Sequence, residues 1–95
     1  MENEPTDPIA PAVIEHGIDE IWVEGQLEQF YNFLDYHFEQ PGAYLRARAY
    51  LDDVRVVTLF GPFEQRGSIT ATRAPEFEAA AVAYLSRRFH KVQRR

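Results

Sequence analysis

The chain has 95 residues, 45% of them hydrophobic, and a net charge of −5, which fits one small domain with one core and excludes disorder throughout. It has no cysteine, so disulfides and zinc–thiolate sites are excluded. All ten cations lie after residue 45, whereas ten of the 15 carboxylates lie before it. The two halves therefore neutralise each other when they pack together, or they leave a basic surface facing a partner.

Residues 1–13 contain Pro5, Pro8 and Pro11. Proline fixes φ and lacks an N–H, so this segment predicts a flexible, acidic, Pro-rich arm. A single domain is expected over residues 14–92, followed by a basic tail over 93–95. The first residues are acidic and contain no apolar run, so no secretory signal is predicted. No apolar stretch is long enough for a membrane span, and the expected location is the cytoplasm.

Residues 14–24 allow two interpretations. Ile14, Ile18 and Ile21 fit the helical period, but residues 21–23 also suit a short buried strand that ends at Gly25. The strand is slightly favoured because the isoleucine pattern does not continue in phase with the next element.

Residues 26–40 predict an amphipathic helix. Leu27, Tyr31, Leu34 and Phe38 recur at helical spacing, and Pro41 follows as a stop signal. On such a helix three carboxylates would share one ridge, a candidate docking site for a basic partner; the alternative is a solvated or internally neutralised face. The ridge consists of Glu28, Asp35 and Glu39.

Three β-rich runs follow the predicted helix. Small and apolar residues alternate with Tyr and Arg over residues 43–51, a second run covers 54–60, and a third covers 68–72. A two-residue turn at Asp52-Asp53 would place Ala47 opposite Thr58. The face carrying Leu45 and Ala47 is expected to receive the helices.

The last predicted helix begins at Pro75, because proline suits the first helical position. Its apolar stripe extends to Val92. The predicted fold is thus α+β: a small antiparallel sheet of three or four strands with two helices on one face, in the order (β)-α-β-β-β-α.

The sheet face opposite the helices provides the candidate binding surface. Tyrosine and arginine are the residue types most enriched at binding hot spots, and both also contact nucleic acids. The predicted binding residues are Tyr44, Arg46, Arg48, Tyr50 and Arg55.

The sequence contains no phosphate-binding loop, nucleophile elbow or metal-ligand spacing, so no enzyme activity, cofactor or metal is predicted. The favoured hypothesis is a protein–protein interaction module that forms a homodimer through the Tyr/Arg face or the sheet edges. The alternative is a nucleic-acid-binding module that uses the same face and the basic C-terminal end. A third hypothesis is a small-ligand or catalytic pocket between the sheet and the first helix, near His37, Tyr31 and Tyr36.

Overall fold

Residues 7–95, the part of the chain described by the computed structural model, form a five-stranded sheet with one helix. The elements are β1 (Val13–Val23), β2 (Gln26–Gln40), β3 (Ala43–Tyr50), β4 (Val56–Phe63), α1 (Pro75–Ser86) and β5 (Lys91–Arg94). The strands lie across the sheet in chain order, and β5 runs parallel to β4 whereas the other pairs are antiparallel. The predicted sheet of three or four strands with two helices is therefore wrong.

The predicted helix over residues 26–40 is strand β2. Its aromatic residues suit a strand as well as a helix. In the C-terminal half of this interior strand both faces are covered: Phe38 is buried towards α1, and Asp35 and His37 are buried on the opposite face. Burial on both faces removes the alternation that normally reveals a strand, so the helical spacing was misleading.

Strands β1 and β2 form a long hairpin, so the strand interpretation of residues 14–24 is the one observed. Glu24 and Gly25 form its two-residue turn, with φ of 53° and 79°. Two positive φ angles match the twist of the flanking strands, which is the geometry of a type I′ turn. Strand β2 alone spans about 50 Å at ~3.3 Å per residue, and the longest dimension of the molecule is 55 Å.

The register between β3 and β4 differs by one residue from the predicted register. Ala47 pairs with Leu59 rather than Thr58, because residues 51–55 form a loop longer than the predicted two-residue turn. A slip of one residue exchanges the two faces of a strand. Val57 and Leu59 therefore face α1 and are fully buried, whereas Thr58 lies on the opposite face.

Helix α1 begins at Pro75, as predicted, but it ends at Ser86. The chain then turns and forms β5, in which Val92 pairs with Val57 and packs against the core as a strand residue. The predicted strand over 68–72 is absent from the described residues except for an isolated bridge between Phe63 and Ala71.

The core lies between α1 and one face of β2–β5. Its fully buried large side chains come from three strands and the helix: Phe38, Leu45, Val57, Leu59 and Leu85.

Part of the predicted N-terminal arm, residues 1–6, lies outside the described residues. In residues 7–12, Ile9 packs against the core and Asp7 forms ion pairs with Arg87 and Arg88. At the other end of the chain, Arg94 of the predicted tail belongs to β5.

Candidate functional site

Four of the five predicted binding residues lie on the sheet face opposite α1, which we call the polar face. Tyr44, Arg46, Arg48 and Tyr50 alternate along β3, opposite residues of β2 that also point away from the core. Arg55 does not join them, because it lies in the loop before β4 and pairs there with Asp53 at 3.3 Å.

Arg48 is held inside the polar face by Asp35. Its Nε and Nη2 atoms donate to the two carboxylate oxygens at 2.8 and 2.9 Å, and this bidentate pairing raises the pKa of Arg48 above its usual range. The Asp35 carboxylate is buried. Arg48 therefore compensates the charge of the buried Asp35 carboxylate and offers little of its own charge to a partner.

The Arg48 guanidinium also stacks on an aromatic ring. It lies 3.7 Å from the centre of the Phe33 ring, and that ring covers Gly17 on the neighbouring strand. A Cβ atom at Gly17 would lie 2.3 Å from the Phe33 ring. Glycine at position 17 is thus what allows Phe33 to lie flat between β1 and Arg48.

Replacing Gly17 by alanine is expected to destabilise the protein by about 1–3 kcal/mol, because the Phe33 ring must move away from Arg48. The free energy of unfolding from urea titration measures this effect. The same substitution in a Phe33→Leu background removes the clash, so it should there change stability by less than about 0.5 kcal/mol. Equal losses in both backgrounds would contradict the proposed contact.

The opposite charges of the two halves of the chain meet in ion pairs. Arg48 binds Asp35, Arg66 binds Glu15 at 2.8 Å, and Asp7 binds Arg87 at 2.8 Å. Much of the basic charge is therefore neutralised by ion pairs within the molecule, which weakens the case for a surface that binds nucleic-acid phosphates.

The predicted acidic ridge does not exist. Glu28 lies at the point where the pairing of β1 with β2 shifts, Asp35 is buried against Arg48, and Glu39 is exposed further along the strand. Their common ridge required a helix, and in a strand Asp35 and Glu39 are about 13 Å apart.

A different surface stands out on the projecting β1–β2 hairpin. Its exposed apolar side chains on the α1 side of the sheet lie beyond the part that the helix covers. We call this surface the arm face; it consists of Ile14, Ile18, Trp22, Leu27 and Phe30, each 45–58% exposed. Contiguous exposed apolar groups of this kind mark interaction sites.

The outer edge of β1 adjoins the arm face. The sheet order places β1 at one end, so within residues 7–95 this 11-residue edge faces no other strand. Unpaired N–H and C=O groups along such an edge are a template for another strand.

Sequence reasoning missed both features because it assigned residues 26–40 to a helix. A signal was present: Glu24-Gly25 lies between two apolar runs, the composition of a tight hairpin turn.

The third hypothesis, a pocket near His37, Tyr31 and Tyr36, is not supported as stated. His37 and Tyr31 lie on the polar face, whereas Tyr36 lies on the other face and packs against Tyr84 and Phe89. A concavity of about 520 Å³ lies on the polar face, between Tyr31, Tyr50 and the carboxylates of the 51–55 loop.

Among residues 7–95 no group of three acidic or histidine side chains is arranged to hold a metal ion. The described part of the chain also has no helix long and apolar enough to cross a membrane. No protein-family model, curated protein or solved structure matches this chain.

Proposed function

We propose that this protein is a non-enzymatic interaction module that forms a homodimer by antiparallel pairing of two β1 edges. The observation that carries the proposal is the self-complementary order of side chains along β1, which lies on an unpaired edge beside an exposed apolar face. Two-fold symmetric dimers are the commonest assemblies of soluble proteins, and such an interface must match itself.

The β1 edge is better suited to pairing than the β5 edge. Strand β5 has only four residues, two of them the cations Lys91 and Arg94, and short, cationic edge strands resist pairing. Strand β1 has 11 residues and contains no Lys, Arg or Pro. Two of its carboxylates already face cations of the same chain: Glu15 binds Arg66, and Asp19 lies 3.9 Å from Arg48.

Symmetry restricts the register of the dimer. A two-fold axis normal to the sheet keeps equivalent faces of the two molecules on the same side of the combined sheet. Opposing residues must then point to the same face, so the axis passes beside a residue of β1 and not between two residues. An axis at Gly17 would place Glu15 opposite Asp19, and an axis at Asp19 would place the two Asp19 carboxylates opposite each other. Like charges directly opposite each other are destabilising, so both registers are disfavoured.

An axis at Ile18, the midpoint of β1, places no like charges opposite each other. Ile18 meets its own copy, Ile14 meets Trp22, and His16 meets Glu20 on the α1 side of the sheet. The two arm faces then lie side by side across the seam, and each molecule contributes five strands to a ten-stranded sheet. The pairing satisfies the backbone groups of both edges and removes the exposed edge.

Size-exclusion chromatography with light scattering tests this proposal. The wild-type protein is expected to have twice its chain mass of 11.0 kDa. Replacing Ile18 by glutamate places two carboxylates at the two-fold axis and should weaken the dimer at least about tenfold. Ile69→Glu is the matched control, because Ile69 is 93% exposed in a loop outside the arm, and it should remain dimeric.

Two results would overturn the proposal: a wild-type monomer at concentrations up to about 100 µM, or an Ile18→Glu variant as dimeric as Ile69→Glu. The nucleic-acid alternative has weaker support because the arginines of the polar face are paired or stacked. The cytoplasmic location stays a prediction from the sequence.

A further inference from the structure

A second concavity lies on the polar face, away from the β1 edge. It has a volume of about 420 Å³ and lies between β2, β3, β4 and the loop after β4. Its lining combines two arginines, a histidine and a tyrosine with an aromatic floor. The residues that matter here are His37, Tyr44, Arg46, Phe60, Arg66 and Ser68.

Arg46 is the unusual residue of this cavity. Its guanidinium lies 4.6 Å from the centre of the Phe60 ring. Its Nε atom is buried and has no hydrogen-bond acceptor among residues 7–95, and no ion pair of that part of the chain includes Arg46. Buried polar groups in folded proteins are almost always hydrogen-bonded, so an orphaned N–H indicates an acceptor from outside the chain.

The two carboxylates that contact the residues lining the cavity are held by other groups. Asp35 accepts both hydrogen bonds of Arg48, and Glu15 binds Arg66. Among the arginine and aspartate residues that line the cavity, Arg46 is therefore the one whose charge no ion pair neutralises. A monoanion would neutralise it, whereas a dianion would leave an excess negative charge in a partly desolvated site.

A short contact and a hydrogen bond surround the neighbouring histidine. His37 Nε2 lies 2.5 Å from a Glu15 oxygen and His37 Nδ1 lies 2.5 Å from the Tyr44 hydroxyl. Despite this approach, Nε2 makes no hydrogen bond among residues 7–95. The hydrogen bond between Nδ1 and the Tyr44 hydroxyl has a direction that depends on the tautomer of His37.

The contact between His37 and Tyr44 supports binding rather than catalysis. Burial raises the pKa of Tyr44 above its ordinary value, so the hydroxyl stays protonated at neutral pH and is a poor base or nucleophile. Because the Tyr44 hydroxyl is already engaged with His37, the anion is taken by Arg46, with the Ser68 hydroxyl as a second donor at the rim.

We propose that this cavity binds a small organic monocarboxylate with an aromatic or apolar body. The planar guanidinium of Arg46 offers parallel N–H groups that match the two oxygens of a carboxylate. The body of the ligand would lie on the apolar floor formed by Phe60 and Phe63. The site lies on different residues from the β1 edge, so it does not depend on the proposed dimer.

Nuclear magnetic resonance of ¹⁵N-labelled protein tests the site, with benzoate as the probe. We expect saturable shifts of the Arg46 Nε–H and of the Gly67 and Ser68 amides, with a dissociation constant of about 1 mM. Benzamide has the same shape without the charge, and phosphate carries a second negative charge. Both should bind at least about tenfold more weakly than benzoate.

Two arginine variants separate this site from general attraction of anions. Arg46→Gln should weaken benzoate binding at least about tenfold, whereas Arg73→Gln, an equal charge change at an exposed residue outside the cavity, should stay within about twofold. If Arg46→Gln does not fold, Arg46→Lys keeps the charge but lacks the guanidinium fork and should show the same loss.

The absence of saturable shifts in the wild-type protein would overturn the proposal. Equal binding of benzoate and benzamide, or equal losses in the Arg46 and Arg73 variants, would also overturn it. Tighter binding of phosphate than of benzoate would exclude the monocarboxylate in favour of a phosphate ligand.

Discussion

Replacing Arg48 by alanine is expected to destabilise the protein by about 3 kcal/mol, because it leaves the buried Asp35 carboxylate without its partner. Asp35 is 8% exposed, and its two oxygens accept hydrogen bonds from Arg48 at 2.8 and 2.9 Å. The substitution also removes the guanidinium from the Phe33 ring, so packing and charge compensation are lost together. The free energy of unfolding should be measured by urea titration at one protein concentration, because the proposed dimer would make stability depend on concentration.

Arg55→Ala is the matched control for this prediction. Arg55 is exposed and pairs with Asp53 at 3.3 Å, and exposed ion pairs contribute little, so the loss should be below about 0.5 kcal/mol. A double variant, Arg48→Met with Asp35→Leu, removes both charges and should recover most of the stability. An Arg48→Ala variant as stable as Arg55→Ala would show that Arg48 does not compensate Asp35.

Replacing His16 by glutamate or Glu20 by lysine is expected to weaken the dimer in each single variant and to restore it in the double variant. In the Ile18-centred register His16 of one molecule lies opposite Glu20 of the other, and symmetry repeats the pair. Both side chains lie on the α1 side of the sheet, where His16 contacts Asn32 at 3.0 Å and Glu20 accepts from Trp22 at 2.9 Å. These contacts hold the side chains of His16 and Glu20 in position on their own molecule, where they face the opposing strand.

His16→Glu creates two pairs of opposed carboxylates, and Glu20→Lys replaces the carboxylate that faces each His16 by a lysine. Each single variant should weaken dimerisation about tenfold, and the combined variant should regain most of the loss. The coupling over the double-mutant cycle is then about 100-fold in the dissociation constant, or about 2.7 kcal/mol. Sedimentation equilibrium measures all four constants.

The control for the charge exchange is His90→Glu, which makes the same substitution at an exposed residue outside the arm. It should leave the dissociation constant within about twofold of the wild type. Additive losses in the double variant would mean that His16 and Glu20 do not face each other. A dimer unaffected by any arm variant would place the interface elsewhere.

Rules that depend on neighbouring residues were sufficient to predict several elements. Pro75 marked the start of α1 because its missing N–H is tolerated there. The alternation over residues 43–50 located β3 and assigned Leu45 and Ala47 to the helix side, since consecutive side chains of a strand point to opposite faces. These features depend only on neighbours in sequence, so one sequence contains the information.

Part of the candidate site could also be predicted from the sequence. The alternation of β3 grouped Tyr44, Arg46, Arg48 and Tyr50 on one face. It could not reveal that Asp35 engages Arg48 while Arg46 keeps a buried donor without a partner. That difference depends on which β2 residue lies opposite each arginine, a contact between residues distant in sequence.

The β3 alternation, the start of α1 and the opposite charges of the two halves of the chain follow from the sequence without any knowledge of the fold. Contacts between distant segments were needed to establish that residues 26–40 are a strand, that β4 is shifted by one residue, and that Lys91–Arg94 form β5. One cause accounts for all three. Strand pairing gains its free energy from backbone hydrogen bonds and burial between distant segments, and these contacts override local spacing and propensity.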